Sequence, residues 1–134
     1  MLFATTGNDE APVANVFSRE ELMRAQRLTR TIPVGEKVAD AILDLVRSAR
    51  PGPEGSDYAR ETISWGPGPR ASQSLMLGVR ARALLDGRLS PSLDDVVALA
   101  APVLRHRMAI TFSARADGVT IDDVITKLTD CLLY

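Results

Sequence analysis

Three times along this chain a hydroxyl residue stands three positions ahead of a carboxylate, at the head of apolar residues in helical spacing: Ser18 with Glu21, Ser92 with Asp95, and Thr120 with Asp123. In such a pair the hydroxyl accepts the N3 backbone N–H while the carboxylate reaches back to the N-cap N–H. Two donors that a helix start would otherwise leave open are thereby satisfied. The residues that follow agree with this reading. Leu22, Ala25 and Leu28 give the first helix a thin apolar face, with Phe17 and Leu22 placed as a hydrophobic staple. Val96, Leu99, Ala100, Val103 and Leu104 mark a second helix, with a bend or change of geometry expected at Pro102. Ile121, Val124, Ile125 and Leu128 mark the last.

Two further helices are legible without a capping box. From about Gly35 to Arg50, Val38, Ile42, Leu45, Val46 and Ala49 form a broad apolar face, after a break at Thr31-Ile32-Pro33-Val34. From Pro69 or Arg70 to about Asp86, Ala71, Leu75, Val79 and Ala83 form a row at spacing four. Gly78 beside that row suits a close helix crossing, and Gly87 is the stop. Met108 to Phe112 reads equally as a short strand or as a loop across the bundle. The expected fold is all-α, a small bundle of four to five short helices with a long Pro/Gly loop before the third. Residues 1–14 read as a tail or linker, 15–130 as the helical domain and 131–134 as a C-terminal tail.

Composition narrows the function classes. A chain of 134 residues with 46% apolar and 25% charged residues has the size and make-up of one globular domain. Its formal charge of −1 argues against a broadly basic nucleic-acid binder. Cys131 and His106 are each the only residue of their kind, so neither an internal disulfide nor a cysteine or multi-histidine metal cluster can form within the chain. No run approaches 18 apolar residues, and no basic segment followed by an apolar run opens the sequence. No membrane span is expected, and cytoplasmic residence is.

The least ordinary stretch is Trp65-Gly66-Pro67-Gly68-Pro69-Arg70-Ala71-Ser72, which closes a 19-residue segment from Pro51 to Pro69 holding four prolines and four glycines. Its glycines and prolines fix a tight path into a helix and put Arg70 in the first turn. A cation there opposes the helix macrodipole, a mismatch of about 0.3–1 kcal/mol that vanishes when an anion binds at the same end. Two readings stay open: an anion site, or an Arg70 that pairs with a carboxylate or lies in solvent. From Arg70 to Arg115 seven arginines face only Asp86, Asp94 and Asp95, a local excess that suits either a multiply charged anion or a solvated surface. Arg82 and Arg88 are expected on the outer surface, and Trp65 against the helices or as a wall of a ligand cleft. Ser72 and Ser74 are read as helix-start residues, Asp94-Asp95 and Asp122-Asp123 as helix caps, and Cys131 as a small apolar filler. Arg105-His106-Arg107 reads as cations at a helix C-terminus or as an interface cluster.

These positions carry a resemblance. Gly66-Pro67-Gly68-Pro69-Arg70-Ala71 is similar to the Gly-x-Ser-Pro-Arg-Ala motif in the C-terminal lid subdomain of MoxR-family AAA+ ATPases, with Gly68 in place of the serine. Leu93-Asp94-Asp95-Val96 with Leu99 to Arg107 resembles that lid's late helix and its Val-Leu-Arg-His-Arg ending. Gly118 to Val124 resembles the start of its last helix, and Leu2 to Gly7 the passage out of the large subdomain. The resemblance implies that Arg70 is the sensor 2 arginine, reaching the γ-phosphate of ATP, and that Gly68, Pro69, Arg70 and Ala71 face the nucleotide. It further implies ATP and Mg2+ as cofactors of a larger parent, a large αβ ATPase subdomain on the same polypeptide and neighbouring protomers in a hexameric ring. Chaperone-like assembly or metal loading of client proteins, alongside von Willebrand factor A domain partners, belongs to the same expectation. Arg105, His106 and Arg107 would face the large subdomain or the next protomer.

Two other functions compete: a free-standing helical protein-interaction adaptor, and a small helical nucleic-acid-binding domain. The long loop and weak net charge oppose the second of these. The sequence holds no Gly-x-x-x-x-Gly-Lys-Ser/Thr phosphate loop, and no apolar strand ending in an acidic pair. By calorimetry and phosphate release, these 134 residues alone are expected neither to turn over ATP nor to bind it below ~10 µM. Such affinity corresponds to about −7 kcal/mol, more than one arginine and a helix end supply. Magnesium-dependent turnover would place a complete site within this segment.

Overall fold

A computed structural model describes residues 14–132. The elements are α1 (Arg19–Thr31), α2 (Glu36–Ser48), α3 (Asp57–Thr62), β1 (Ile63–Trp65), α4 (Pro69–Leu85), α5 (Leu93–Leu104), a 3-10 turn (Arg105–Arg107), β2 (Ala109–Ile110), α6 (Phe112–Ala116) and α7 (Ile121–Asp130). The five longer helices are those legible in the sequence. The passage out of a large subdomain and most of the 1–14 linker lie outside the described residues.

Capping chemistry sets the helix starts. Ser18, Ser92 and Thr120 each head a capping box with Glu21, Asp95 and Asp123. The backbone N–H and hydroxyl of the cap residue hold the carboxyls of Glu21 and Asp123 below their usual range. The buried faces of α2, α4, α5 and α7 then meet around Leu45, Leu75, Val79, Val96, Leu104 and Val124, all fully buried. Gly78 lets α4 and α5 cross closely, since a Cβ there would lie 3.0 Å from Leu99 Cδ1.

The all-α expectation needs one correction. The Pro51–Pro69 segment is not wholly irregular, because it contains α3 and β1. Ser56 caps α3 by accepting the Ala59 N–H, and Ile63 enters the core at 1% exposure. β1 pairs antiparallel with β2, Ile63 opposite Ile110 and Trp65 opposite Ala109, with an irregularity between Ile63 and Trp65. The Ser64 hydroxyl lies within hydrogen-bonding distance of both the Ala109 and Ile110 carbonyls, at 3.1 and 3.2 Å. Elements this short show no readable period, and the surrounding prolines and glycines conceal them. Two further expectations shift. α1 buries none of its residues, and Phe17 and Leu22 are 67% and 52% exposed, so they form no buried staple. α5 also runs through Pro102 to Leu104 before its geometry tightens.

The turn from α4 to α5 holds a buried charge. Gly87 takes φ +71°, and the Arg88 N–H bonds Ala83 O at 2.7 Å while the Gly87 N–H bonds Leu84 O at 3.0 Å, a Schellman ending. That ending delivers the Arg88 guanidinium to Asp95, which it grips with Nη1 at 2.8 Å and Nη2 at 2.7 Å. Arg82 Nε adds an ion pair at 3.0 Å, and the Ser92 N–H donates to the same carboxylate at 2.8 Å. Asp95 is 1% exposed. Arg82 is exposed, as expected, and Arg88 is half-buried, but both also serve as partners of a buried carboxylate.

The Arg88 guanidinium outweighs the cost of burial and holds the Asp95 carboxyl down to about 2, against an ordinary value of 3.8. A depressed carboxyl contributes stability above its unfolded value and loses it as pH falls through the folded one. That shift corresponds to roughly 2 kcal/mol, present at neutral pH and lost between about pH 4 and pH 2. Asp95→Asn is expected to cost roughly 2 kcal/mol at pH 7, because it removes the buried charge that the half-exposed Arg82 and Arg88 pair with. Urea unfolding of both proteins from pH 7 to pH 2 should show their difference narrowing only below pH 4.

Candidate functional site

The approach to α4 is fixed by a close backbone contact. A Cβ on Gly66 would lie 2.5 Å from Ala49 O and 2.9 Å from Arg50 Cα, so only glycine lets the loop lie against the end of α2. Arg50 Nε donates to Pro67 O at 3.1 Å, and Pro67 is fully buried. Gly68 is the N-cap of α4, Pro69 opens its first turn, and the Ala71 N–H turns back onto Gly68 O at 2.9 Å. Ala71 is fully buried, which anchors the first turn to the core.

Arg70 therefore sits in a first turn held from both sides. Its side chain is exposed, and no ion pair among the described residues involves it. The carboxylate-pairing reading gains no support there. α4 also has neither a side-chain cap nor an acidic residue in its first turn. The other described helices have one or both: hydroxyl residues cap α1, α3, α6 and α7, α5 carries Asp94 and Asp95, and α2 carries Glu36. The position of Gly68 is open, with nothing within 4 Å of a would-be Cβ, and its φ of −90° suits any residue. A serine there would fit and cap the helix, whereas glycine offers no side-chain acceptor; Pro69 has no N–H and the Ala71 N–H bonds Gly68 O, which leaves the Arg70 N–H as the donor a cap would have served. An open cleft beside the site, between α2 and α4, is lined by Arg47, Arg50 and Glu54 with Pro69, Ser72 and Gln73. Such a surface can bind an oxyanion.

The remaining candidates are dispersed. Trp65 is 62% exposed and does not pack the loop against the helices as expected, since the β1–β2 pairing turns it outward. Cys131 is exposed and fills no core space. The Arg105-His106-Arg107 cluster splits. Arg105 pairs with Asp122 of α7 at 2.8 Å, His106 is exposed, and Arg107 bonds Val103 O at 2.6 Å and Ser74 Oγ at 3.3 Å. Sequence reasoning missed the Arg50–Pro67 tie and the bridge from Arg107 to Ser74. It also missed the pairing of Asp95, for which the Gly87 stop was an unused signal. No group of three His, Cys, Asp or Glu among the described residues could hold a metal ion, and no described helix is long and apolar enough to cross a membrane.

Comparison with known proteins supplies a context for this geometry. A family model described as AAA lid domain matches residues 56–128. Over 114 residues the chain is 29% identical to Chaperone MoxR1 of Mycobacterium tuberculosis, covering 84% of this chain and 30% of that protein. Over 113 residues it is 26% identical to the uncharacterized protein YeaC of Bacillus subtilis, covering 84% and 33%. The crystal structure of a Cytophaga hutchinsonii protein of proposed ATPase function superposes with a TM-score of 0.82 at 22% identity. That match covers 96% of this chain and 39% of the other, and shows a shared fold. The chain thus spans about a third of the length of the curated relatives it matches.

An exposed arginine set against the helix dipole contributes nothing to folding. Arg70→Ala is expected to leave the thermal midpoint unchanged or up to about 4 °C higher by calorimetry. A drop beyond about 5 °C would reveal an internal partner.

Proposed function

The chain belongs to the AAA lid domain family and is homologous to MoxR-family ATPases, and from that premise we propose that it is the nucleotide-sensing lid of a longer ATPase. In that parent a large αβ subdomain supplies the phosphate loop and the Mg2+ ligands, both missing from this sequence. The lid supplies Arg70. The observation that carries the proposal is an arginine without an ion-pair partner among the described residues, in the first turn of α4 with no side-chain cap, presented by a loop that Gly66 and Arg50 hold in place.

The physical case rests on what a γ-phosphate requires. Its charge spreads over several oxygens, and a permanently charged planar fork matches two of them at once. The positive end of the α4 dipole and the Arg70 N–H act in the same direction. Because the loop and Ala71 are fixed, the guanidinium pays little ordering entropy beyond its own rotamers. ATP offers the group being sensed and ADP lacks it, so the lid closes over one and relaxes over the other. Gly68, Pro69 and Ala71 shape this end of the nucleotide site and contribute backbone only. The wider reading is a chaperone-like assembly machine, a hexameric ring working in the cytoplasm with von Willebrand factor A domain partners. It is supported by the name of the mycobacterial relative and by the resemblance at residues 66–71 and 93–107.

In the full-length protein, Arg70→Ala is expected to lower ATP turnover by about 10- to 100-fold, the value of one charge-assisted contact of about 1.5–3 kcal/mol. ADP affinity should change far less, and Arg70→Lys should recover only part of the loss. Arg82 and Arg88 are unsuitable controls because both hold Asp95. Arg115, exposed and outside the described ion pairs, is the appropriate one, and Arg115→Ala should cost under threefold. Equal turnover for Arg70→Ala and Arg115→Ala would reduce Arg70 to a solvated helix residue.

A further inference from the structure

α4 and α5 run antiparallel and are tied at both ends by arginines, but by ties of different strength. At the far end from Arg70, the buried Asp95 holds Arg88 and Arg82 by charge-assisted bonds of 2.7–3.0 Å. At the near end, Arg107 in the 3-10 turn donates from Nη2 to the neutral hydroxyl of Ser74 at 3.3 Å. The same guanidinium donates from Nη1 to Val103 O at 2.6 Å, and His106 Nε2 lies against it. Ser74 follows Arg70 by four residues, so the two share one side of α4, one turn apart, with Cβ atoms about 5–6 Å from each other.

A last-turn carbonyl such as Val103 O needs no arginine, since water satisfies it equally well. A half-buried fork that also reaches across to the next helix is a bridge. A neutral bond at the long end of the range is the weaker of the two ties. Any displacement of α4 against α5 would therefore break the tie at Ser74 before the one at Asp95.

We infer that Arg107 is a positioning residue that, through Ser74, sets where α4 presents Arg70. It also carries movement of α4 into the 3-10 turn, and from there, through the Arg105–Asp122 pair, into α7. The inference rests on the proposed nucleotide-sensing role of Arg70. It adds a residue that touches no nucleotide and gives Ser74 a role that helix propensity alone would not.

The test uses the full-length protein with Ser74→Ala, Arg107→Ala, Arg107→Lys, the double variant Ser74→Ala/Arg107→Ala, and Arg70→Ala for reference. Turnover, ATP and ADP affinity, and thermal midpoint are measured for each. Alanine is the better helix former, so Ser74→Ala should keep or raise the midpoint. It should nevertheless lower turnover and the ATP-over-ADP preference by three- to tenfold, with ADP affinity unchanged. The double variant should be no worse than Arg107→Ala, since both remove one bridge. Arg107→Lys should fall between, because an ammonium cannot span both acceptors. A merely structural contact would leave Ser74→Ala at wild-type turnover and make any loss in Arg107→Ala follow its midpoint, and that result overturns the inference. If Arg70→Ala loses tenfold or more while the Ser74 and Arg107 variants stay within twofold, the sensor reading stands and the positioning role falls. If Arg70→Ala is itself silent, both fall.

Discussion

Asp95 is a carboxylate withdrawn from water at the corner where α4 gives way to α5, and much of the domain's geometry follows from keeping it satisfied. Its carboxylate accepts the Ser92 N–H at the start of α5 and pairs with Arg82 of α4 and with Arg88 in the turn that follows. Arg88 arrives only because Gly87 ends α4 in a left-handed turn. The start of α5 and the tie between the two helices thus meet at one group. A buried ion pair of this kind is weak evidence for added stability, because a hydrophobic replacement can do as well. It does oppose wrong registers between the helices, since any slip strands a charge.

The same corner shows where sequence reading works and where it stops. The capping hydroxyls, the stop at Gly87 and the apolar rows of α2, α4, α5 and α7 are local patterns, and each is legible within one or two helical turns. The pairing of Asp95 joins residues 82, 88 and 95 across a turn, and the sequence alone shows only a cap and two arginines on an apparently polar surface. The β1–β2 hairpin is less legible still. It joins residues 63–65 to 109–110 over some forty intervening residues, and neither strand is long enough to alternate. At the candidate site, Arg70 and its helix-end position could be read directly. What holds it there, the Gly66 approach and the Arg50–Pro67 bond, depends on the end of α2 returning to meet the loop.

α1 stands apart from this economy. It is well capped and amphipathic, yet it buries none of its residues, although Ile32 just beyond its end is 6% exposed. Its helicity rests on Ser18, Glu21 and propensity more than on packing, so it is the described helix least committed to the core. The core proper is held by α2, α4, α5 and α7, and the site lies at the start of one of these, α4.

Trp65 is the only tryptophan of the chain, and it stands on the solvent side of the hairpin, one residue before the glycine that presses against α2. The intrinsic fluorescence of the protein is therefore that of a wet indole. It reports what approaches the hairpin and the start of α4, and is almost blind to the state of the aliphatic core. In a melting curve followed by emission the signal would come from release of the strand pairing and the loop, while the arrival of a neighbouring surface at the loop would register directly.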